Sequence, residues 1–211
     1  MEEKEEKKIK YKFLNQFVKK GETLMVGSSL MDNFPINELQ QSFGIKEIIY
    51  NRGIGGTVTT ELLASMEECI FELEPSKIFI NIGTNDISAP GYTMEGLISN
   101  YTDILKQVKA RLPECRVYVM AYYPVNTIAD YGLPVEHKED MFKTRTNEAI
   151  LKANKAIEKL ACQFDYEYID VNEGLMDEEG NLKADLAIEG LHMWPQAYAI
   201  ILNNLKKYLL C

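Results

Sequence analysis

The chain has 211 residues, 46% of them hydrophobic and 26% charged, and a formal net charge of −9; that is enough apolar material for one globular domain with a sizeable core. So acidic a balance excludes the basic face that phosphate backbones or anionic membranes demand, so neither nucleic acid nor membrane insertion is expected, and the expected partner is a small molecule. Cys69, Cys115, Cys162 and Cys211 stand singly and far apart, which offers neither zinc spacing nor a dense disulfide framework and fits a reducing compartment.

At the N-terminus, "MEEKEEKKIK" is charged where a secretory signal needs an apolar core. No stretch approaches the ~20 apolar residues of a membrane span, so a cytoplasmic protein is expected. Residues 2 to 8 read as a frayed, solvated helix end. Beyond them Ile9, Phe13, Leu14, Phe17 and Val18 repeat at helical spacing, which predicts that residues 1–22 form an amphipathic helix docked on one domain spanning 23–211. "TLMVG" (23–27), "EIIYN" (47–51), "KIFINIG" (77–83), "RVYVMAYY" (116–123) and "YEYIDV" (166–171) read as strands. Three patterns between them have the three-to-four spacing of amphipathic helices: Val58 to Leu73, Leu97 to Leu112 and Phe142 to Leu160. A last helix follows Pro195, a residue suited to a first helical turn. The longest irregular connection, 123–141, holds Pro124 and Pro134 and is long enough to be a lid.

Strand-helix alternation predicts a five-stranded parallel sheet covered on both faces, a three-layer α/β/α sandwich, because parallel neighbours need crossover connections. Ligands of such sheets bind beyond the carboxyl ends of the strands. Small or polar residues stand there: Gly27-Ser28-Ser29, "NRGIGGT" (51–57) and "GTNDIS" (83–88). "EGLHMW" (189–194) supplies one of only two histidines just before the last helix.

Ester hydrolysis needs a hydroxyl nucleophile, an imidazole to carry its proton, a carboxylate to orient the imidazole, and fixed donors for the oxyanion. Ser29, His192 and Glu189 can fill the first three roles, and one helical turn would bring Glu189 to His192. Glycine in "GIGG" lets backbone N–H groups approach a substrate oxygen, and Asn85 carries an amide donor. Singly, each feature has a blander reading. Ser28-Ser29 is ordinary turn chemistry and Asn85-Asp86 can cap a turn. "GIGG" hints at a dinucleotide loop but has Val58 where a third glycine belongs.

Glycine-serine first, Asn-x-Gly-x-x-Gly next, Gly-x-Asn-Asp third and acid-x-x-His last is an order and spacing that resembles the SGNH superfamily of GDSL-like esterases and lipases. The resemblance runs over roughly residues 23–200 and includes "Tyr-Pro-Val" (123–125) and "RTNEAILKANKAI" (145–157). It implies the flavodoxin-like fold of that superfamily and a serine acylhydrolase. Ser29 would be the nucleophile, His192 the general base, and the Ser29 N–H, Gly56 N–H and Asn85 side chain the oxyanion donors. It also implies a small ester as substrate, without metal or organic cofactor. Short acyl esters such as acetylated sugars or small metabolites are the favoured class, and a homo-oligomer stays open. Two positions depart from the pattern: Ser28 stands where the family commonly has aspartate, and Glu189 where it has aspartate before the histidine, with Asp185 as the other candidate acid. A flavodoxin-like module binding phosphate or flavin, or a pseudoenzyme keeping the fold without turnover, are the competing readings; the first loop lacks the glycine-rich phosphate cradle the former needs.

Overall fold

In the computed structural model, which describes residues 3–210, the five strands are Thr23–Gly27 (β1), Ile49–Gly53 (β2), Lys77–Asn81 (β3), Arg116–Met120 (β4) and Glu167–Ile169 (β5). All pair in parallel in the order β2-β1-β3-β4-β5. Met1, Glu2 and Cys211 lie outside the described residues, and with them the start of the expected helix end.

Side chains of a strand alternate between faces, and here the alternation feeds two cores. Leu24, Val26, Ile78, Ile80, Val117 and Val119 face one side. Met25, Phe79, Tyr118, Met120 and Ile169 face the other. In chain order the helices are Glu3–Leu14 (α1), Ser29–Asp32 (α2), Ile36–Ser42 (α3), Thr59–Leu63 (α4), Met66–Cys69 (α5), Thr84–Ser88 (α6), Met94–Arg111 (α7), Val135–Phe142 (α8), Asn147–Gln163 (α9) and Pro195–Leu209 (α10). The apolar stripes of α4, α5, α7 and α9 cover the first face, with Leu62, Met66, Tyr101, Ile104, Ala153 and Ile157 buried there. Those of α3 and α10 cover the second through Ile36, Tyr198, Ile201 and Leu205. The result is the three-layer α/β/α sandwich. The chain runs from β1 outward to β2 and then back past β1 to β3, so the strand order reverses at β1, and the cleft beyond its end is the topological switch point at which such sheets bind ligands.

The structure corrects four local expectations. Strand β2 occupies Ile49–Gly53 rather than 47–51, so Arg52 and Gly53 are strand residues and not loop; an edge strand tolerates polar Asn51 and Arg52 because only one side of it is paired. The single helix expected over 58–73 is broken. The buried Ser65 donates its hydroxyl to the Glu61 carbonyl at 2.7 Å, and such local bonds compete with helix continuation. Phe142 belongs to α8, a helix inside the connection expected to be irregular, and α9 starts afresh at Asn147 with Thr146 as its N-cap, accepting from the Ala149 N–H at 3.2 Å. Finally, the N-terminal segment docks largely by another face: Ile9 and Phe13 on α1 and Phe17 in the turn after it are 42%, 60% and 85% exposed while Tyr11 and Asn15 are buried, and of the expected stripe Val18 packs on the core. The surface beneath this segment explains the inversion, since it is polar: Arg52 donates to the Asn15 side-chain oxygen, and Asn15 Nδ2 donates to the Glu68 carbonyl and the Glu72 carboxylate. Among the described residues no helix is long and apolar enough to cross a membrane.

Strand ends meet the helices that follow them at glycine. A Cβ built on Gly27 would lie 2.1 Å from the Asn81 carbonyl oxygen on β3. Gly132 instead has a left-handed backbone (φ +71) and open space around it. Gly27→Ala is therefore expected to cost about 3 kcal/mol through overpacking, and Gly132→Ala about 1–2 kcal/mol through strain alone. Urea midpoints of the two variants check the order; an equal or reversed order would contradict it.

Candidate active site

Strand β1 ends at Gly27, and α2 starts at Ser29 with the buried Ser28 as its N-cap, whose carbonyl accepts from Met31 and Asp32. The turn leaves Ser29 half-buried, with its Oγ 2.9 Å from His192 Nε2. His192 reaches it from a tight hairpin in which Ala187 bridges Met193 and the Ile188 N–H donates to the His192 carbonyl at 2.8 Å. Within that hairpin Glu189 Oε1 pairs with His192 Nδ1 and accepts the His192 N–H at 3.2 Å. The Asn126 N–H donates to the Gly190 carbonyl at 2.8 Å, and a Cβ on Gly190 (φ +95) would fall 2.2 Å from the Asn126 oxygen. Only glycine lets the hairpin sit this close.

With Nδ1–H donated to the carboxylate, Nε2 is left as an acceptor for the serine hydroxyl. Burial works to raise the Glu189 carboxyl, but the hydrogen bond and charge of His192 and the backbone N–H groups outweigh it and hold the carboxyl below its ordinary range. Asp185 sits on the one-turn helix Ala184–Leu186, exposed and not among the partners of His192. Of the two candidate acids the structure brings Glu189 to the imidazole and leaves Asp185 in solvent.

Three N–H groups follow the ends of three strands, Ser29 after β1, Gly56 after β2 and Asn85 after β3. Ser29 is the first residue of α2, so its N–H has no preceding turn to bond. Gly56 has a left-handed backbone (φ +70), and among the described residues its N–H has no hydrogen-bond partner. Asn85, in the first turn of α6, donates from Nδ2 to the Thr57 carbonyl at 3.0 Å and accepts at Oδ1 from Arg145 Nη2 at 2.9 Å. This pair of contacts fixes the amide without ambiguity. A guanidinium can only donate and a backbone carbonyl can only accept, so the amide cannot flip. One Nδ2 hydrogen is used on Thr57, and among the described residues the other has no partner.

Asp86 does something different from its neighbour. It is buried, accepts the Thr59 N–H at 3.0 Å and the Thr59 hydroxyl, and thereby caps α4; burial pushes its carboxyl up. Asn147 and Asn154 on α9 bond the backbone of Val125 and Tyr122, which holds the "Tyr-Pro-Val" segment beside the hairpin.

Two residues of the site were given no role by the sequence. Arg145 is buried, donates to the Thr84 carbonyl at 3.1 Å as well as to Asn85, and feels the charge of Glu189; burial draws its guanidinium below its ordinary range while Glu189 opposes the shift. Asp32, one turn after Ser29, accepts the Gly55 N–H at 2.9 Å and ties the nucleophile helix to the glycine loop. It places a carboxylate on α2 although Ser28, buried at its start, carries none.

Residues 29–200 match the GDSL-like Lipase/Acylhydrolase family. A protein of Streptococcus pneumonia described as a platelet activating factor is 31% identical, with a TM-score of 0.86 over 98% of this chain and 92% of its own. A GDSL-like lipase from Bacteroides thetaiotaomicron (18% identity, TM-score 0.77, 96% of this chain and 97% of its own) shares the fold. So does an acetylxylan esterase from Geobacillus stearothermophilus (15% identity, TM-score 0.66, 91% and 95%). No curated protein matches the chain.

The lowered Glu189 carboxyl has a consequence for stability. A group depressed in the folded state contributes stability above its unfolded value, about 4.3 for glutamate, and loses it as pH falls through the folded value. The urea midpoint of the wild type is thus expected to exceed that of Glu189→Gln above about pH 5 and to converge with it on acidification. A gap that widens in acid would contradict the assignment.

Proposed function

The chain belongs to the GDSL-like lipase/acylhydrolase family and is a carboxylic ester hydrolase, and from that premise we propose that it works through an acyl-enzyme on Ser29 and prefers short acyl esters. One observation carries the reading: Ser29 Oγ lies 2.9 Å from His192 Nε2 while Glu189 occupies the other ring nitrogen.

In this mechanism Ser29 Oγ attacks the ester carbonyl carbon as His192 Nε2 takes its proton. The carbonyl oxygen becomes an oxyanion, met by the N–H groups of Ser29 and Gly56 and by the free Nδ2 hydrogen of Asn85. Such donors act without reorganisation because the chain already holds them in place. Collapse breaks the bond to the alcohol, which leaves with the proton from Nε2. Water then adds to the acyl carbon, gives its proton to Nε2, and the same proton returns to Ser29 as the acid departs. Glu189 orients the imidazole and stabilises its charged form.

A cleft of about 740 Å³ between segment 127–133 and α8, lined by both apolar and charged side chains, offers room for the alcohol side of the ester. Its rim carries Asp130, Lys138, Glu139 and Lys143, and Phe142 joins it to Gly190 beside Glu189. Acetylated sugars are therefore the first esters to assay, beside a p-nitrophenyl series of increasing acyl length.

Ser29→Ala is expected to lower kcat by about 10⁶ and Glu189→Gln by about 10⁴, the costs of losing nucleophile and acid in serine hydrolases. Asn85→Ala is expected to cost about 10²–10³, the usual effect of one oxyanion donor. Asp185→Asn should stay near wild type. Steady-state kinetics on a p-nitrophenyl ester measure the series; a crippled Asp185→Asn beside a healthy Glu189→Gln would reassign the acid, and an active Ser29→Ala would end the acyl-enzyme reading.

A further inference from the structure

The glycine loop that carries the Gly56 N–H is the least self-supporting part of the site. Residues 53–56 include three glycines, which populate many backbone conformations with little preference, yet an oxyanion donor is useful only if its direction is fixed before the reaction. The support comes from outside the loop. On α1, Lys4, Lys7 and Tyr11 stand at the spacing that places side chains on one helical face, and each reaches this loop or the carboxylate that holds it. Lys4 Nζ donates to the Gly56 carbonyl at 2.9 Å. Lys7 Nζ pairs with Asp32, whose other oxygen accepts the Gly55 N–H at 2.9 Å. The buried Tyr11 hydroxyl donates to the Gly53 carbonyl; burial pushes that hydroxyl up, so it remains a donor at any ordinary pH.

These ties bracket the reacting group. The peptide between Gly55 and Gly56 bears the Gly56 N–H, and it lies between the tied N–H of Gly55 and the tied carbonyl of Gly56. Lys4 is also held by Glu61, which accepts the Val58 N–H at 3.0 Å, so the clamp continues into the start of α4. The exposure pattern agrees: α1 turns Ile9 and Phe13 to solvent and its polar face to the loop.

We propose that Lys4, Lys7 and Tyr11 of the N-terminal helix are positioning residues that hold the glycine loop so that the Gly56 N–H faces the oxyanion. The inference rests on the reading of Gly56 as an oxyanion donor. It makes α1 part of the catalytic apparatus rather than an appendage to the fold. None of the three touches substrate; each acts through Gly53, Gly55 or Gly56.

The test compares the double variant Lys4→Met/Lys7→Met, and separately Tyr11→Phe, with Lys7→Arg and with the control Lys10→Met, whose lysine pairs only with Glu6 on the outer face. Both lysines of the clamp are about one third exposed, and Tyr11→Phe keeps the buried ring, so folding is retained; melting temperatures verify it. On a p-nitrophenyl ester the double variant is expected to lose about tenfold to a hundredfold in kcat, the cost of misplacing a catalytic group by a fraction of an ångström to an ångström, with KM unchanged. Its inactivation by a fluorophosphonate should slow in parallel, Lys7→Arg should keep most of the wild-type kcat, and Lys10→Met should match wild type. Unchanged kcat in both the double variant and Tyr11→Phe overturns the clamp, as does a loss that appears in KM and melting temperature but not in kcat. Ser29→Ala and Asn85→Ala run alongside separate the two failures: if they are crippled while the clamp variants are not, only the clamp falls, whereas full activity in both removes the oxyanion reading and the clamp with it.

Discussion

Helix α2 can lie directly on the end of β2 only because Gly53 has no side chain, since a Cβ there would fall 2.2 Å from the Asp32 amide nitrogen. The same holds one strand over, where Gly27 leaves no room for a Cβ against the Asn81 carbonyl. Parallel register sets Gly27 beside Gly53 on one side and Asn81 on the other, so the three strand ends that face the cleft approach one another at backbone distance. With larger residues at these two positions the strand ends and α2 would have to stand apart. The close approach is paid for in conformational entropy, because glycine is the least restricted residue in the unfolded chain.

Having brought backbone so near, the chain fixes much of it with groups that can act in one direction only. Arg145 can only donate and the Thr57 carbonyl can only accept, which orients Asn85. Asp32 can only accept from Gly55, and Lys4 can only donate to Gly56. Hydroxyls and amides could satisfy such sites in more than one arrangement; lysine, arginine, carboxylate and backbone carbonyl cannot. In a protein with a net charge of −9, these cations are spent on orienting the cleft rather than on a basic surface.

Polarity also explains which face of α1 docks. A hydrophobic stripe at helical spacing ordinarily turns toward the core because apolar burial is the dominant favourable term. Beneath α1, however, lie Arg52, Asp32, Glu61, Glu68, Glu72 and open glycine carbonyls, all of which would lose water and gain nothing beneath phenylalanine. Unsatisfied buried polar groups cost more than exposed apolar ones, so Tyr11, Asn15 and the lysines take the inner face.

The sequence by itself determined the alternation of strands and helices, the three-layer class and the segments at the cleft, because these follow from short-range periodicity and from residue types bound to one conformation. "GSSL", "NRGIGG", "GTND" and "EGLH" were legible for that reason, and Glu189 stood at a distance from His192 that a single tight turn closes. Tertiary structure alone decided that Asp185 stays in solvent, that Arg145 orients Asn85 across 60 positions of chain, and that Asp32 and Lys7 tie the glycine loop to α2 and α1. It alone set the docking face of α1 and the breaks after Leu63 and Phe142. The physical reason is the same throughout: a side chain's partner depends on which surface folds against it, and periodicity reports only how polar each face is, never what polar groups it will meet.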